Sequence, residues 1–238
     1  MKRVQHKHKK AKFWNREYEK RGAHFALSEN PSEDLATFTR WLVRDQGNNV
    51  LTKNASVLDV GCGNGRNLIY LSREFGVKGI GYDNSNEAIA SAKKLSEDLP
   101  ISYEIRSVTE TLPLPDNSQT LVLDMMVSHV LSNSDREKLH KEIARVLKPG
   151  GFLFLKTFLR DEDRHAERLL RDHPGTEKGS YIHPDIGVQE HVFSEDEIVK
   201  ELETNFIVHK IKKSHRHIRN GKAFKRRSIS LYAQKAFD

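Results

Sequence analysis

"LDVGCGNGRN", residues 58–67, decides how the chain is read: an apolar run closing on Asp59 and Val60 gives way to glycine at every second position, Gly61, Gly63 and Gly65. The stretch that leads in, "SVLDVG" at 56–61, is short, apolar and β-branched, the mark of a buried strand. Beyond it, Arg66 to Phe75 brings Leu68, Ile69 and Leu71 at helical spacing before Gly76. Strand, glycine turn and helix make the first half of a βαβ unit.

The rhythm repeats on both sides. Upstream, residues 32–44 place Leu35, Phe38, Trp41 and Leu42 on one helical face behind Ser32 as N-cap. Downstream, "GIGYD" (79–83) is a strand ending in Asp83, and residues 85–99 carry Ala88, Ile89, Ala92, Leu95 and Leu99 on one face. "ISYEIRS" (101–107) alternates as a strand, "LPLPDNS" turns, and "TLVLDMMV" (120–127) is apolar again. A helix follows with a capping box of Ser134 and Glu137, burying Leu139, Ile143, Val146 and Leu147 until "KPGG" stops it, and "FLFLKTF" (152–158) is the fifth strand. Residues 159–192 are polar, with four histidines and two prolines, and read as a helix over 161–171 plus a long loop inserted as a lid. "SEDEIVKELE" (194–203) is a helix with a second capping box, Ser194 with Glu197. Two last strands joined around Asn220 and Gly221 pair antiparallel. Alternating strands and helices imply an α/β fold, a Rossmann-like, doubly wound, mostly parallel seven-stranded sheet closed by that hairpin. One domain is expected over 13–238, preceded by a basic flexible segment at 1–12.

Ligands of such sheets lie across the carboxyl ends of the strands, where missing side chains let backbone come close. Asp83, closing the second strand, is placed to accept hydrogen bonds from two ribose hydroxyls, so a nucleoside cofactor is expected. Spacing decides which one. The third glycine of a dinucleotide fingerprint would fall at position 66, which is Arg66. Instead an acid, Asp59, stands two positions before the first glycine; it repels a pyrophosphate and attracts an ammonium or sulfonium. S-adenosylmethionine carries both cations and a ribose.

At these residues the chain resembles the class I S-adenosylmethionine-dependent methyltransferase family, over roughly 35–158 and 194–235. "VLDVGCGNGRN" resembles the family's first motif, "GIGYDNSNEAIASAKK" its second, "LPLPDNS" the turn before strand four, and "ARVLKPGGFLFL" the junction to strand five. The resemblance implies that Asp59, Gly61, Gly63 and Gly65 hold the methionine part and Asp83 the ribose. With their neighbours in the motifs, Cys62, Asn67, Asn84, Ser107, Val108 and Asp124 complete the candidate cofactor set. Two departures stand out: an acid that many relatives use for adenine is Val108 here, after Ser107, and an Asp usual at the lead into strand four is Thr120, for which Asp124 would compensate or else be paired locally. "GCGNGRNLIYL", "HVFSEDEI" and the terminal hairpin are similar to tellurite-resistance methyltransferases, which implies substrate roles for His215 and Arg216. "FWNREYEKRGAHF" resembles the Trp-x-x-x-Tyr segment that small-molecule methyltransferases fold over their cofactor.

Methyl transfer from a sulfonium is an in-line displacement, so the protein positions a nucleophile and removes its proton. Groups after strand four and in the lid are the candidates: Ser128, His129, His183, Glu190 and His191, with His129 foremost. His183, His191, His215 and His217 match no compact zinc spacing, so no metal is expected.

Composition bounds the partners. The 238 residues carry one cysteine, Cys62, which excludes an internal disulfide. No apolar run approaches the roughly 18 residues that span a bilayer, and no signal-type apolar segment follows the basic start, so a cytoplasmic location is expected. The net charge of +7 is concentrated: residues 1–12 hold six Lys/Arg and 209–227 hold nine, neither with an acid, which leaves 7 − 15 = −8 for the rest. A small-molecule acceptor is therefore one reading. RNA held by residues 209–227 is a second, and a nucleoside- or nucleic-acid-binding module without turnover is a third.

Overall fold

The computed structural model describes residues 13–16, 18, 28–214, 218–219, 222–223 and 225–237. Helix α1 (Glu33–Gln46) leads into β1 (Ser56–Val60), α2 (Arg66–Phe75), β2 (Lys78–Asp83), α3 (Asn86–Leu95), β3 (Ile101–Ile105) and β4 (Gln119–Met125). A 3-10 turn at Ser128–Val130 precedes α4 (Asn133–Val146) and β5 (Leu147–Phe158). Then come α5 (Arg164–Asp172), β6 (Ser180–Ile182), β7 (Gln189–His191), α6 (Glu195–Glu203), β8 (Ile207–Lys213), β9 (Ile218–Arg219), β10 (Lys222–Ala223) and β11 (Ser228–Gln234).

The seven-stranded sheet runs β3-β2-β1-β4-β5-β11-β8. β1 and β3 pair parallel to β2, with Asp59 level with Gly81, whereas β11 is antiparallel to both β5 and β8. The expected sheet and its antiparallel end are thus present, while Asn220 and Gly221 lie outside the described residues. By packing, the chain divides into two compact units: one runs to Val108 and adds Ser118–Leu123, and the other takes Thr109–Asn117 and everything from Asp124.

Each unit buries the faces that periodicity marked. In the first, Leu35, Phe38, Trp41 and Leu42 of α1 are buried, as are Val57, Leu58 and Val60 of β1 and Leu68, Ile69 and Leu71 of α2. In the second, α4 buries Leu139, Ile143 and Val146, and β5 buries Phe152 to Leu155. At about 2 kcal/mol per fully buried aliphatic side chain, these faces supply the main driving force.

Several boundaries differ from expectation, each for a local reason. α3 stops at Leu95 because Ser96 Oγ donates to Ala92 O at 2.8 Å, which competes with the helical ladder and leaves Leu99 outside. α4 is capped by Ser132, whose Oγ accepts from Asp135 N at 3.2 Å; Ser134 lies inside the helix, so the expected box with Glu137 is not the cap. "KPGG" belongs to β5, where Gly150 N donates to Lys235 O and Ala236 O. The Ser194–Glu197 capping box forms as expected. Residues 159–192 are no structureless loop: α5 and the antiparallel β6–β7 hairpin share a core of Ala166, Leu169, Tyr181 and Val192.

The proline-rich turn before β4 shows how such a segment is satisfied. Prolines 113 and 115 donate nothing, so the neighbouring carbonyls need a partner from elsewhere. Arg145 of α4 donates to Leu112 O at 2.9 Å and Leu114 O at 2.8 Å, and pairs with Asp116 and Glu142 at 2.7 Å each. Glu142 in turn accepts from Leu112 N at 2.8 Å. The hydrogen bond from Arg145 holds the Glu142 carboxyl below its usual range, against the opposing effect of burial. A depressed folded pKa stabilises at pH values above the unfolded one, near 4.3, and that contribution disappears as pH falls through the folded value. Arg145→Met is expected to lower stability by about 2 kcal/mol. In urea titrations, the deficit of Glu142→Gln against the parent is expected to shrink below about pH 4.

Candidate functional site

The first unit holds a cradle at the ends of β1 and β2. Gly61, Gly63 and Gly65 all have positive φ, of 73°, 56° and 77°. A β-carbon on Gly63 would stand 2.5 Å from the Tyr18 hydroxyl, and one on Gly65 would stand 2.3 Å from the Tyr103 hydroxyl. Both the backbone angle and the space therefore require glycine at these two positions. Tyr18 comes from the Trp-x-x-x-Tyr segment and lies on the loop. Tyr103 was not among the expected site residues; the alternation of β3, which turns it inward, was the signal that pointed to it.

Asp83 closes β2 with Oδ2 accepting from Gly63 N at 3.0 Å and Oδ1 from Ser85 N at 2.9 Å. Burial pushes its carboxyl up, and the N–H groups of Ser85, Gly63 and Asn84 pull it back. Asp59 is buried beside it. The field is negative: burial first, then Asp83 and Cys62, raise the Tyr18 phenol, and burial, Asp59 and Asp83 raise the Cys62 thiol well above its usual value. Such a cradle, bare of side chains and bordered by two acids, fits the ammonium, sulfonium and ribose of S-adenosylmethionine and opposes a pyrophosphate.

Other members of the expected cofactor set have local work. Cys62 Sγ packs toward Gly81, 2.8 Å from where a β-carbon there would be, and its N–H, like that of Gly61, donates to Tyr82 O. Asn67 is buried and its Oδ1 accepts from Ser32 N at 3.2 Å, tying α2 to the start of α1; the Ser32 side chain itself caps nothing. Val108 is buried and Ser107 half-buried in the segment after β3. Asp124 departs from the set: it has no exposed surface and accepts from Val127 N, Ser128 N and Ser128 Oγ, the local pairing that was the alternative.

The second unit gathers a separate polar cluster around Glu190. Its Oε2 accepts from the Tyr181 hydroxyl and lies 3.5 Å from Arg226 Nη1, which also reaches the Tyr181 oxygen. Its Oε1 faces His129 Nε2 at 4.0 Å, and the His129 ring stands edge-on to Phe158 at 4.8 Å. The Arg226 guanidinium lies 4.0 Å over the Phe158 ring, with Asp163 Oδ2 at 3.7 Å from its Nε. Glu190 and His129 are each about 5% exposed. The turn that carries His129 is strained, because Met126 has a φ of 68°, which costs about 1–2 kcal/mol in a residue with a β-carbon.

Only two of the expected histidine and acid candidates meet here, His129 and Glu190. His191 follows Glu190 on β7 and faces the other way, where Nε2 pairs with Glu197 Oε1 at 2.7 Å and the ring meets Phe193 at 4.4 Å. It anchors the hairpin to the start of α6. His183 is placed near the hairpin tip, its Nδ1 accepting from Asp185 N at 3.3 Å, with its ring 6.3 Å from Tyr181. His215 and Arg216 lie outside the described residues. Sequence reading missed Tyr181 and left Arg226 inside a run of cations. Among the described residues no group of three or more His, Cys, Asp or Glu is arranged to hold a metal ion, and no helix is long and apolar enough to cross a membrane.

Comparison with known proteins adds matches of three kinds. Residues 57–151 match a family model described as a methyltransferase domain. The chain is 30% identical over 150 residues to the fatty-acid O-methyltransferase of Mycolicibacterium smegmatis, covering 62% of this chain and 53% of that protein. It is 29% identical to the sterol 24-C-methyltransferase of Pneumocystis carinii, covering 53% and 33%. The chain thus spans between a third and about half of these relatives. A solved S-adenosylmethionine-dependent methyltransferase from Methanosarcina mazei superimposes with a TM-score of 0.67 at 26% identity, over 80% of this chain and 96% of that one. The cyclase SpnF superimposes at 0.62 with 19% identity, over 85% and 82%, a likeness of fold alone. The tellurite-type likeness gains no support from these proteins.

Asp83→Ala is expected to weaken S-adenosylmethionine binding by about 10²-fold, the loss of hydrogen bonds to a charged group. Isothermal titration of the full chain checks this; unchanged affinity would remove Asp83 from the cradle.

Proposed function

We propose that this chain, whose residues 57–151 match a family model described as a methyltransferase domain, is a class I S-adenosylmethionine-dependent methyltransferase that moves the methyl group onto a small-molecule nucleophile, with His129 taking the acceptor's proton. The observation that carries the reading is the cradle: bare backbone between Asp59 and Asp83 suits a cationic nucleoside. S-adenosylmethionine, when bound, supplies an electrophilic methyl and leaves as a neutral thioether. The chain supplies orientation and a destination for the proton. Asp83 would hold the ribose, and the amides and acids of the glycine loop the amino-acid end.

On the acceptor side, Tyr181 and Arg226 occupy one oxygen of Glu190, and the other oxygen faces His129. A carboxylate in that place favours the imidazolium that forms when His129 accepts a proton. A base is useful to a hydroxyl, carboxylic acid or amine, and the relatives named for a fatty acid and a sterol support a small organic acceptor.

Labelled methyl from S-adenosylmethionine, followed into fractionated cell extract, tests the reading. Label is expected in the small-molecule pool, and His129→Ala is expected to cut the initial rate by about 10²-fold or more. Label lost on nuclease treatment would overturn the small-molecule acceptor.

A further inference from the structure

A second buried chain of polar groups adjoins the turn that carries His129. Asp124 Oδ1 accepts from Val127 N at 3.3 Å and Ser128 N at 3.2 Å, and its Oδ2 accepts the Ser128 hydroxyl. Ser128 Oγ is 3.2 Å from His140 Nε2, and His140 Nδ1 is 3.2 Å from Glu201 Oε1. Glu201 accepts from Arg136 Nε at 2.8 and 3.1 Å, and Arg136 Nη2 donates to Asn133 Oδ1 at 2.8 Å. Asp124 and Ser128 have no exposed surface, and His140 has 1%.

A hydroxyl has one hydrogen, and Ser128 gives it to Asp124, so the contact with His140 calls for the ring hydrogen on Nε2. The other side of the ring meets Glu201, itself paired with Arg136, so His140 is set between Asp124 and Ser128 on one side and Glu201 on the other.

We infer that Asp124, Ser128, His140 and Glu201 form a polar positioning chain that locks the strained turn presenting His129. It ties β4 and the 3-10 turn to α4 and α6, and Met126 keeps its unfavourable φ because the amides of Val127 and Ser128, which follow it, are held by Asp124, which precedes it. None of these residues touches the acceptor; they act through His129, so the inference rests on the reading of His129 as the base.

The test uses the full chain with Glu201→Gln, which keeps size while removing the charge, and Ser128→Ala as a second variant should the first fail to fold. In either variant the NMR signal of His129 Cε1–H is expected to broaden or shift against the parent. Transfer into the small-molecule pool falls about 10²-fold, as for a misplaced reacting group, with S-adenosylmethionine affinity within twofold. A variant that melts earlier yet keeps both the His129 signal and the transfer rate overturns the inference, since that is a purely structural role. The reading of His129 fails separately, by undiminished transfer in His129→Ala, and the shift of the His129 signal in the two variants does not depend on it.

Discussion

A carboxylate with no exposed surface ends β4, and much of the second unit answers it. Removing Asp124 from water costs several kcal/mol unless hydrogen bonds replace its hydration. Burial accordingly raises its carboxyl above the usual range, and His140 with the donors of Ser128 and Val127 opposes this without cancelling it. Two of those donors are backbone amides of the next residues, so satisfying the charge bends the chain out of the strand. The third is the Ser128 hydroxyl, which also meets His140 on α4, where His140 and Arg136 are four residues apart and share a face. Both point at Glu201, so the same charge that bends the turn also sets α4 against α6.

The first unit uses charge in the opposite sense. Backbone amides at the start of α2 would by themselves favour an anion, the arrangement that holds phosphates in many strand–turn–helix units. Asp59 and Asp83 reverse that preference. Burial raises the Tyr18 phenol and the Cys62 thiol first, and the two acids add to it in both. Two carboxylates thus set the charge around a common backbone geometry in which Gly63 and Gly65 leave no room for a β-carbon.

Local periodicity carried most of the fold. The βα repeats, the helix faces, the Ser194–Glu197 box and the antiparallel end are all properties of neighbouring residues, and each was legible. What failed was either a choice between neighbours equal on paper or a contact with a partner distant in sequence. Ser132 and Ser134 are equal as caps on paper, and the extended backbone at Ser132 chose between them. Residues 180–191 read as loop because two three-residue strands are too short to show alternation. That hid the fact that Glu190 and His191 face opposite ways, so one joins the His129 cluster and the other anchors a helix. Asp83 and the glycines were legible as a candidate cradle and Tyr103 by the alternation of β3, whereas Tyr181 met Glu190 only once β6 and β7 were paired, and Arg226 only through the fold of the second unit.

The basic run at 209–227 shows the same limit in electrostatic form. A window of sequence with nine cations and no acid predicts a strong positive field, and from that a grip on a polyanion. The acids that answer it lie elsewhere in the chain: Glu195 pairs with Lys213, Glu190 and Asp163 flank Arg226, and Glu162 meets Arg227. At least three of the nine charges are therefore spent within the second unit, one of them stacked on Phe158 in the cluster around Glu190. Lys210 and Lys212 stand on β8, the outer strand of the sheet, where lysines deter pairing with another chain's edge. Net charge summed along a segment measures field only when opposite charges share that segment, and here the fold brings acids from outside it to Lys213, Arg226 and Arg227.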